Sequence, residues 1–179
     1  MTAHRVGQSA DRPAVEEIWA WLDQVPDPEV PVVSVVDLGI VREVRWEQVS
    51  DGAELVVTIT PTYSGCPATQ LIEHEIVAAL RARGVEHLRM ETRLSPAWTT
   101  DWLSEEAKEK LRAFGIAPPT QKVMEIRDIG RGRSEAPTVP CPRCGSKRTR
   151  LTSQFGSTPC KAMYQCTECL EPFDYFKCH

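Results

Sequence analysis

The chain has 179 residues, 41% hydrophobic and 26% charged, enough for one domain with its own core and a small module beside it. No apolar run is long enough to span a bilayer and residues 1–10 are too polar for a secretory signal, so a soluble cytoplasmic protein without membrane partners is expected. The formal net charge of -4 hides a split of 11 basic against 19 acidic residues over 1–117 and 10 against 6 over 118–179, which leaves any nucleic-acid role to the second part.

In chain order, Pro13 suits a first helical turn, Glu16 and Glu17 follow, and Val15, Ile18, Trp19 and Leu22 recur at helical spacing, predicting a helix over 12–23. The two prolines of Asp27-Pro28-Glu29-Val30-Pro31 exclude regular helix, so a rigid, acid-edged connector runs on through Asp37-Leu38-Gly39. Ile40 to Glu47 reads as a strand, Asp51-Gly52 as a turn, and Glu54 to Thr60 as a second strand with Leu55, Val57 and Ile59 on one face. Ala68, Leu71, Ile72, Ile76, Ala79 and Leu80 then form a helical stripe that Gly84 stops. A third strand, about 86–94, alternates Leu88, Met90, Thr92 and Leu94 with His87, Arg89, Glu91 and Arg93. The helix between strands two and three permits a right-handed crossover that lays them parallel, with helices over one face. After a loop at Ser95–Trp102, Ser104 caps a last helix, Glu105 and Glu106 open it, Arg112 lies near its end and Gly115 beyond. Pro118 to Val139 reads as a linker.

The loop Thr60-Pro61-Thr62-Tyr63-Ser64-Gly65-Cys66-Pro67 delivers a cysteine to a helix start, where free N–H groups and the dipole favour thiolate. Cys66 is therefore a candidate nucleophile or soft-metal ligand, against the plainer reading of a buried structural cysteine. Its chain neighbours offer no base, since His74 falls on the polar side of the helix and His87 on the outer face of a strand. Asp27, Glu29 and Asp37 are turn residues or carboxylates that help hold a metal.

Six of the seven cysteines lie after residue 140, four of them in the pairs Cys141-x-x-Cys144 and Cys166-x-x-Cys169 separated by 21 residues. Odd count and spacing argue for a metal in a reducing compartment over disulfides, with zinc expected and iron or an iron-sulfur cluster the rival for the same thiolates. So small a ribbon needs its metal to fold, and metal loss is expected to unfold it while sparing the body. Cys160 and Cys178 read as small buried hydrophobes, with a ligand role the minority reading that His179 shares. Four thiolates on a divalent ion add -2 to the tail, which weakens the nucleic-acid reading.

Asp27-Pro28-Glu29-Val30-Pro31, Asp37-Leu38-Gly39-Ile40-Val41 and the Cys66 loop closely resemble motifs of the small iron-sulfur assembly domain shared by bacterial SufT-like proteins and eukaryotic cytosolic targeting factors. That resemblance spans 14–117. Ser95-Pro96-Ala97-Trp98-Thr99-Thr100-Asp101-Trp102, Gly115-Ile116-Ala117-Pro118-Pro119 and the tail with Phe173-Asp174-Tyr175-Phe176-Lys177-Cys178 resemble one subfamily, the PaaD proteins of the phenylacetyl-CoA epoxidase system. The resemblance implies an α/β (α+β) fold, with a small sheet of three or four strands under helices, joined to a C-terminal zinc-ribbon-like β module. It divides the chain into an assembly domain (1–117), a linker (118–139) and a four-cysteine metal-binding ribbon (140–179). It also implies a non-enzymatic maturation factor for an iron-sulfur or di-iron client. Cys66, helped by Asp37, would hold transient iron or an iron-sulfur cluster, and Cys141, Cys144, Cys166 and Cys169 would hold the resident metal. The implied partners are other epoxidase components, especially an iron-sulfur reductase subunit, and a homodimer juxtaposing two copies of Cys66 would supply missing ligands. The rival is an integral oxygenase subunit that passes electrons through iron at the ribbon.

Overall fold

The computed structural model describes residues 12–50, 52–63, 65–119 and 138–177. Ser64, Asp51, most of the expected linker, Cys178 and His179 lie outside the described residues.

Among the described residues the chain is a mixed α+β protein with three α-helices and two small sheets. Helix α1 (Val15–Leu22) starts later than its proline suggests, after an extended Ala14, and buries Ile18 and Leu22. The connector then folds back on itself through a bridge from Pro26 to Ser34, with Val35 N–H donating to the Val25 carbonyl at 3.0 Å. Strands β1 (Val41–Val49) and β2 (Gly52–Ile59) form the expected antiparallel hairpin. Helix α2 (Thr69–Arg81) crosses over, and β3 (Leu88–Thr92) pairs parallel to β2 from Leu55↔Leu88 to Ile59↔Thr92. Leu55, Val57 and Ile59 face the helices, as their alternation predicts.

The outer face of this sheet is drier than alternation implies. Val56 and Thr58 are also buried, beneath a lattice in which Arg45 pairs with Glu43, Glu47 and Glu91, and Arg89 with Glu47, Glu54 and Glu91. Arg45 Nη1 also donates to the Thr58 hydroxyl at 3.2 Å, which ties the lattice to this face.

Helix α3 (Glu105–Phe114) has both expected caps: the Ser104 hydroxyl accepts from Ala107 N–H at 2.9 Å, and Gly115 closes the helix at φ 96°. The next two residues form an unexpected short strand, β4 (Ile116–Ala117), that pairs parallel to the last strand of the chain. Strands β5 (Thr149–Ser153), β6 (Lys161–Cys166) and β7 (Pro172–Phe176) complete this second sheet in the order β4-β7-β6-β5. Body and ribbon thus share a sheet, and they also share a core. Cys160 and Phe176 belong to the same buried cluster as Ile18, Leu55 and Ile76, and the Phe176 ring lies 6.1 Å from that of Trp98. Trp98 in turn donates its indole N–H to the Leu38 carbonyl at 2.8 Å. Gly39 follows at φ 64°, where a Cβ would meet Trp102 at 2.8 Å, so the Asp37-Leu38-Gly39 turn is shaped to receive the tryptophan loop.

Candidate functional site

The described cysteines fall into two groups, the ribbon's four and the two, Cys66 and Cys160, that line one cavity. The first is built by two knuckles, one before β5 and one in the β6–β7 turn. Gly145 N–H donates to the Cys141 carbonyl at 2.9 Å, Glu168 N–H points at the Cys166 sulfur at 3.4 Å, and Gly145 (φ 73°) and Leu170 (φ 64°) each turn left-handed just after their pair. The knuckles bring Cys141, Cys144, Cys166 and Cys169 together with all four sulfurs within 4.8 Å of one another. Cys141 and Cys169 are 3.7 Å apart and Cys144 and Cys166 3.6 Å. A tetrahedral ion with metal–sulfur bonds of about 2.3 Å needs sulfur–sulfur edges of about 3.8 Å, so the donor set fits zinc, and fits iron equally well. Without a cation such a set cannot ionise together. The Cys169 backbone N–H, with smaller help from the neighbouring thiols, lowers the Cys166 pKa. The Cys169 thiol, though its bond with the Glu171 backbone favours ionisation, is pushed up to about 12 by desolvation and the other three sulfurs.

Cys66 belongs to the second group. Its N–H donates to the Tyr63 carbonyl at 3.0 Å and its carbonyl accepts from Thr69 N–H at 3.2 Å, which holds it in a turn two residues before Ala68, the N-cap of α2. It is half-buried and packs against the main core. The expectation of a depressed pKa is overturned: burial pushes the Cys66 thiol up, with the charges of Glu29 and Asp27 adding to it. The Ala68 backbone N–H and the Thr69 side chain act the other way, as a helix start should, and are outweighed.

Those two acids line the same small cavity as Cys66, with Cys160 and Phe176 of the ribbon part. Asp27 is buried, accepts from Glu29 N–H at 2.9 Å and Val30 N–H at 2.8 Å, and has its pKa raised by desolvation above all. Asp37 lines a different hollow, with Lys110. Its carboxylate accepts from Ser34 N–H at 3.0 Å and Lys110 Nζ at 2.5 Å, so it is held as a structural ion pair. The structure therefore corrects the pairing of Asp37 with Cys66, because the carboxylates facing that cysteine's cavity are Asp27 and Glu29. Cys160 is buried, in keeping with its reading as a small hydrophobe, but it is buried at this cavity, and the nonlocal packing that brings it there leaves no local pattern in the sequence. His74 is exposed.

Residues 15–87 match the family described as iron-sulfur cluster assembly protein, and residues 127–177 match the PaaD zinc beta ribbon domain. A protein of Escherichia coli K12 designated the D component of 1,2-phenylacetyl-CoA epoxidase is 48% identical over 166 residues, 93% of this chain and 94% of that one. The Fe-S protein maturation auxiliary factor YitW of Bacillus subtilis 168 is 36% identical over 94 residues, 52% of this chain and 88% of its own. A crystal structure of a DUF59 domain of unknown function from Bacillus anthracis aligns over 54% of this chain and 90% of its own at 28% identity, with a TM-score of 0.48. Matched to the Escherichia coli protein at that identity over nearly its whole length, the chain belongs to the PaaD family of phenylacetyl-CoA epoxidase components, and joins an iron-sulfur cluster assembly domain to a PaaD zinc β-ribbon.

Proposed function

We propose that this protein is a non-catalytic maturation factor of the phenylacetyl-CoA epoxidase system, which delivers iron or an iron-sulfur cluster through Cys66 to a client subunit. An iron-sulfur reductase component of that system is the client that fits best, and the assembly body (1–117) and the ribbon (140–179) divide the work. The observation that carries this reading is the separation of a complete four-thiol set from Cys66, which stands apart at an acid-edged cavity that Cys160 also lines. The complete set suits a resident structural zinc, held by Cys141, Cys144, Cys166 and Cys169, because it leaves no open coordination position. Cys66 instead offers an incomplete ligand set, which favours weak, exchangeable binding, and a thiol held up by burial and by two acids gives up its proton when a soft cation replaces it. Cargo iron is then a substrate of the protein.

The test compares Cys66→Ser with wild type in cells that depend on the epoxidase. The variant should fold and retain ribbon metal, while the client accumulates with depleted iron and phenylacetate oxidation falls. Full client metallation by the variant would reduce Cys66 to a structural cysteine. One observation favours a second reading, an integral electron-transfer subunit: the four-thiol geometry accepts iron, and Cys144 and Cys169 are exposed. Visible absorbance of anaerobically purified protein, with constant stoichiometry in the purified oxygenase, would select that reading.

A further inference from the structure

Strand β1 carries one residue more than β2 at the end where β2 runs out. Val41 pairs with Ile59 and Glu43 with Thr58, so Arg42 between them is the extra residue of a β-bulge, a device that re-aims a side chain. The Cys66 loop begins at this same end. Thr60 N–H donates to the Ile40 carbonyl at 2.8 Å, and Pro61 and Thr62 already line the cavity of Cys66. Leu38 lines that cavity too, and Arg42 Nη1 reaches the carbonyl of the next residue, Gly39, at 3.4 Å. From the β3 side, Arg93 N–H meets the Ile59 carbonyl at 2.8 Å. Two arginines thus flank the strand end that leads into the loop.

Arg42 is exposed, yet it is held. Its Cζ lies 3.6 Å from the centroid of the Trp102 ring, and Trp102 packs against the main core. A Cβ at Gly39 would come within 3.4 Å of Arg42 Nη1 as well as crowding Trp102, so the left-handed turn leaves the room in which the two stack. Arg45 and Arg93 both engage Glu43, whereas no carboxylate among the described residues pairs with Arg42. Its Nε and Nη2 make no hydrogen bond there either. Burial first, and then the charge of Arg93, hold the Arg42 guanidinium below its usual range. A clip between β1 and the tryptophan loop accounts for the stacking, but not for a guanidinium edge left open beside a second cation.

Resting on the reading of Cys66 above, we infer that Arg42 and Arg93 form the docking point for a carboxylate of the client protein, on an acidic segment that this contact lines up with Cys66. One face of Arg42 is covered by the indole and its Nε–Nη2 edge is open, the geometry that takes a carboxylate through two parallel hydrogen bonds. Arg93, whose Nη2 holds Glu43 at 2.9 Å, adds positive charge from β3. Residues 1–117 carry 19 acidic against 11 basic side chains, so an acidic segment is repelled over most of the body and favoured where cations gather. The contact therefore selects one orientation of the client.

The test measures binding of the full, zinc-loaded chain to the purified iron-sulfur reductase component of the epoxidase system, which serves as the probe. Wild-type affinity should weaken as salt rises from about 0.05 to about 0.5 M. Arg42→Gln should bind roughly tenfold more weakly, with a flatter salt dependence, at unchanged zinc content. Arg81→Gln, at the far end of α2 from the Cys66 loop, should bind like wild type. In Arg42→Lys a carbodiimide can join the new amine to any carboxylate in contact, so mass spectrometry should find a cross-link to the reductase component at that position. No binding by wild type, equal binding by Arg42→Gln, equal weakening by Arg81→Gln, or no cross-link at that position would overturn the inference. If Arg42→Gln loses zinc and so fails as a folded control, the wild-type salt dependence and the Arg42→Lys cross-link still decide. Cys66→Ser should dock like wild type and fail only in client metallation; metallation indifferent to Cys66 would sink the maturation role, whatever the docking measurements give.

Discussion

Phe176→Ala tests whether the two parts of the chain fold as one. Phe176 ends the last strand of the ribbon, yet it is 1% exposed and packs with the body's core against Trp98. Removing a buried ring costs about 3–5 kcal/mol from lost transfer energy and the cavity left behind, of which ~1 kcal/mol belongs to the aromatic pair. With a urea slope of about 2 kcal/mol/M, the midpoint should fall by roughly 1.5–2.5 M. All five tryptophans lie in the body, at positions 19, 21, 46, 98 and 102, so indole fluorescence reports the body, with Trp98 also sensing the Phe176 contact. Zinc release reports the ribbon in the same titration. Both transitions should move together, and Phe155→Ala, at a 67% exposed ring under Lys177 Nζ, should shift them by no more than about 0.5 kcal/mol. A Phe176→Ala protein whose fluorescence midpoint equals wild type would refute the shared core and restore the expectation that the ribbon unfolds alone.

Further outcomes follow from single contacts. Leu170→Gly should stabilise the metal-loaded ribbon by about 0.5–1 kcal/mol, since the left-handed backbone strains an L-residue and this side chain is exposed; an unchanged thermal midpoint would count against strain there. Asp37→Asn should cost about 1–3 kcal/mol by breaking the Lys110 pair, and leave client metallation through Cys66 intact; a client depleted of iron would return Asp37 to the ligand set. Trp98→Phe should cost about 1–3 kcal/mol because the buried Leu38 carbonyl loses its donor, read as a drop in the urea midpoint. Stripping the ribbon metal with a chelator should lower the fluorescence midpoint of the body as well, and a body transition indifferent to chelation would show the ribbon metal to be local in effect.

What is legible in the sequence is what local chemistry writes. Ser104 and Gly115 bracket α3 because a cap needs only a hydroxyl three residues from an N–H and a residue free to turn left-handed. The hairpin and the knuckles are likewise short-range, and spacing alone points to the four sulfurs as one set. What escapes a sequence reading is nonlocal. Strand β4 is two residues long and acquires meaning only from β7, so nothing in Ile116–Ala117 announces it. Asp37 meets Lys110 from 73 positions away, and that partner changes a candidate ligand into an ion pair. For Cys66 the helix start lies where the sequence puts it and its electrostatic sign is right, but burial and two acids from the connector reverse the net shift.

Asp27→Asn separates stability from function at the cavity. The amide oxygen can keep both backbone bonds, to Glu29 N–H and Val30 N–H, while the buried charge is lost. Burial first of all raises the folded pKa of Asp27 above its ordinary value of 3.8. A raised carboxylate means that the folded chain holds the proton more tightly than the unfolded one, so its contribution to stability is present below 3.8 and is lost as pH rises through the folded value. Asparagine imitates the protonated form at every pH. The variant should therefore be more stable than wild type at pH 7, and the difference should shrink as pH falls toward 3.8. Client metallation through Cys66 should meanwhile fall, because one of the charges that draws a cation to its cavity has gone. Urea midpoints at both pH values, with client iron content in cells that carry the variant, measure the two effects. A variant less stable than wild type at pH 7, or one whose advantage grows in acid, would show that Asp27 is not a carboxylate the fold holds at a cost for the sake of the site.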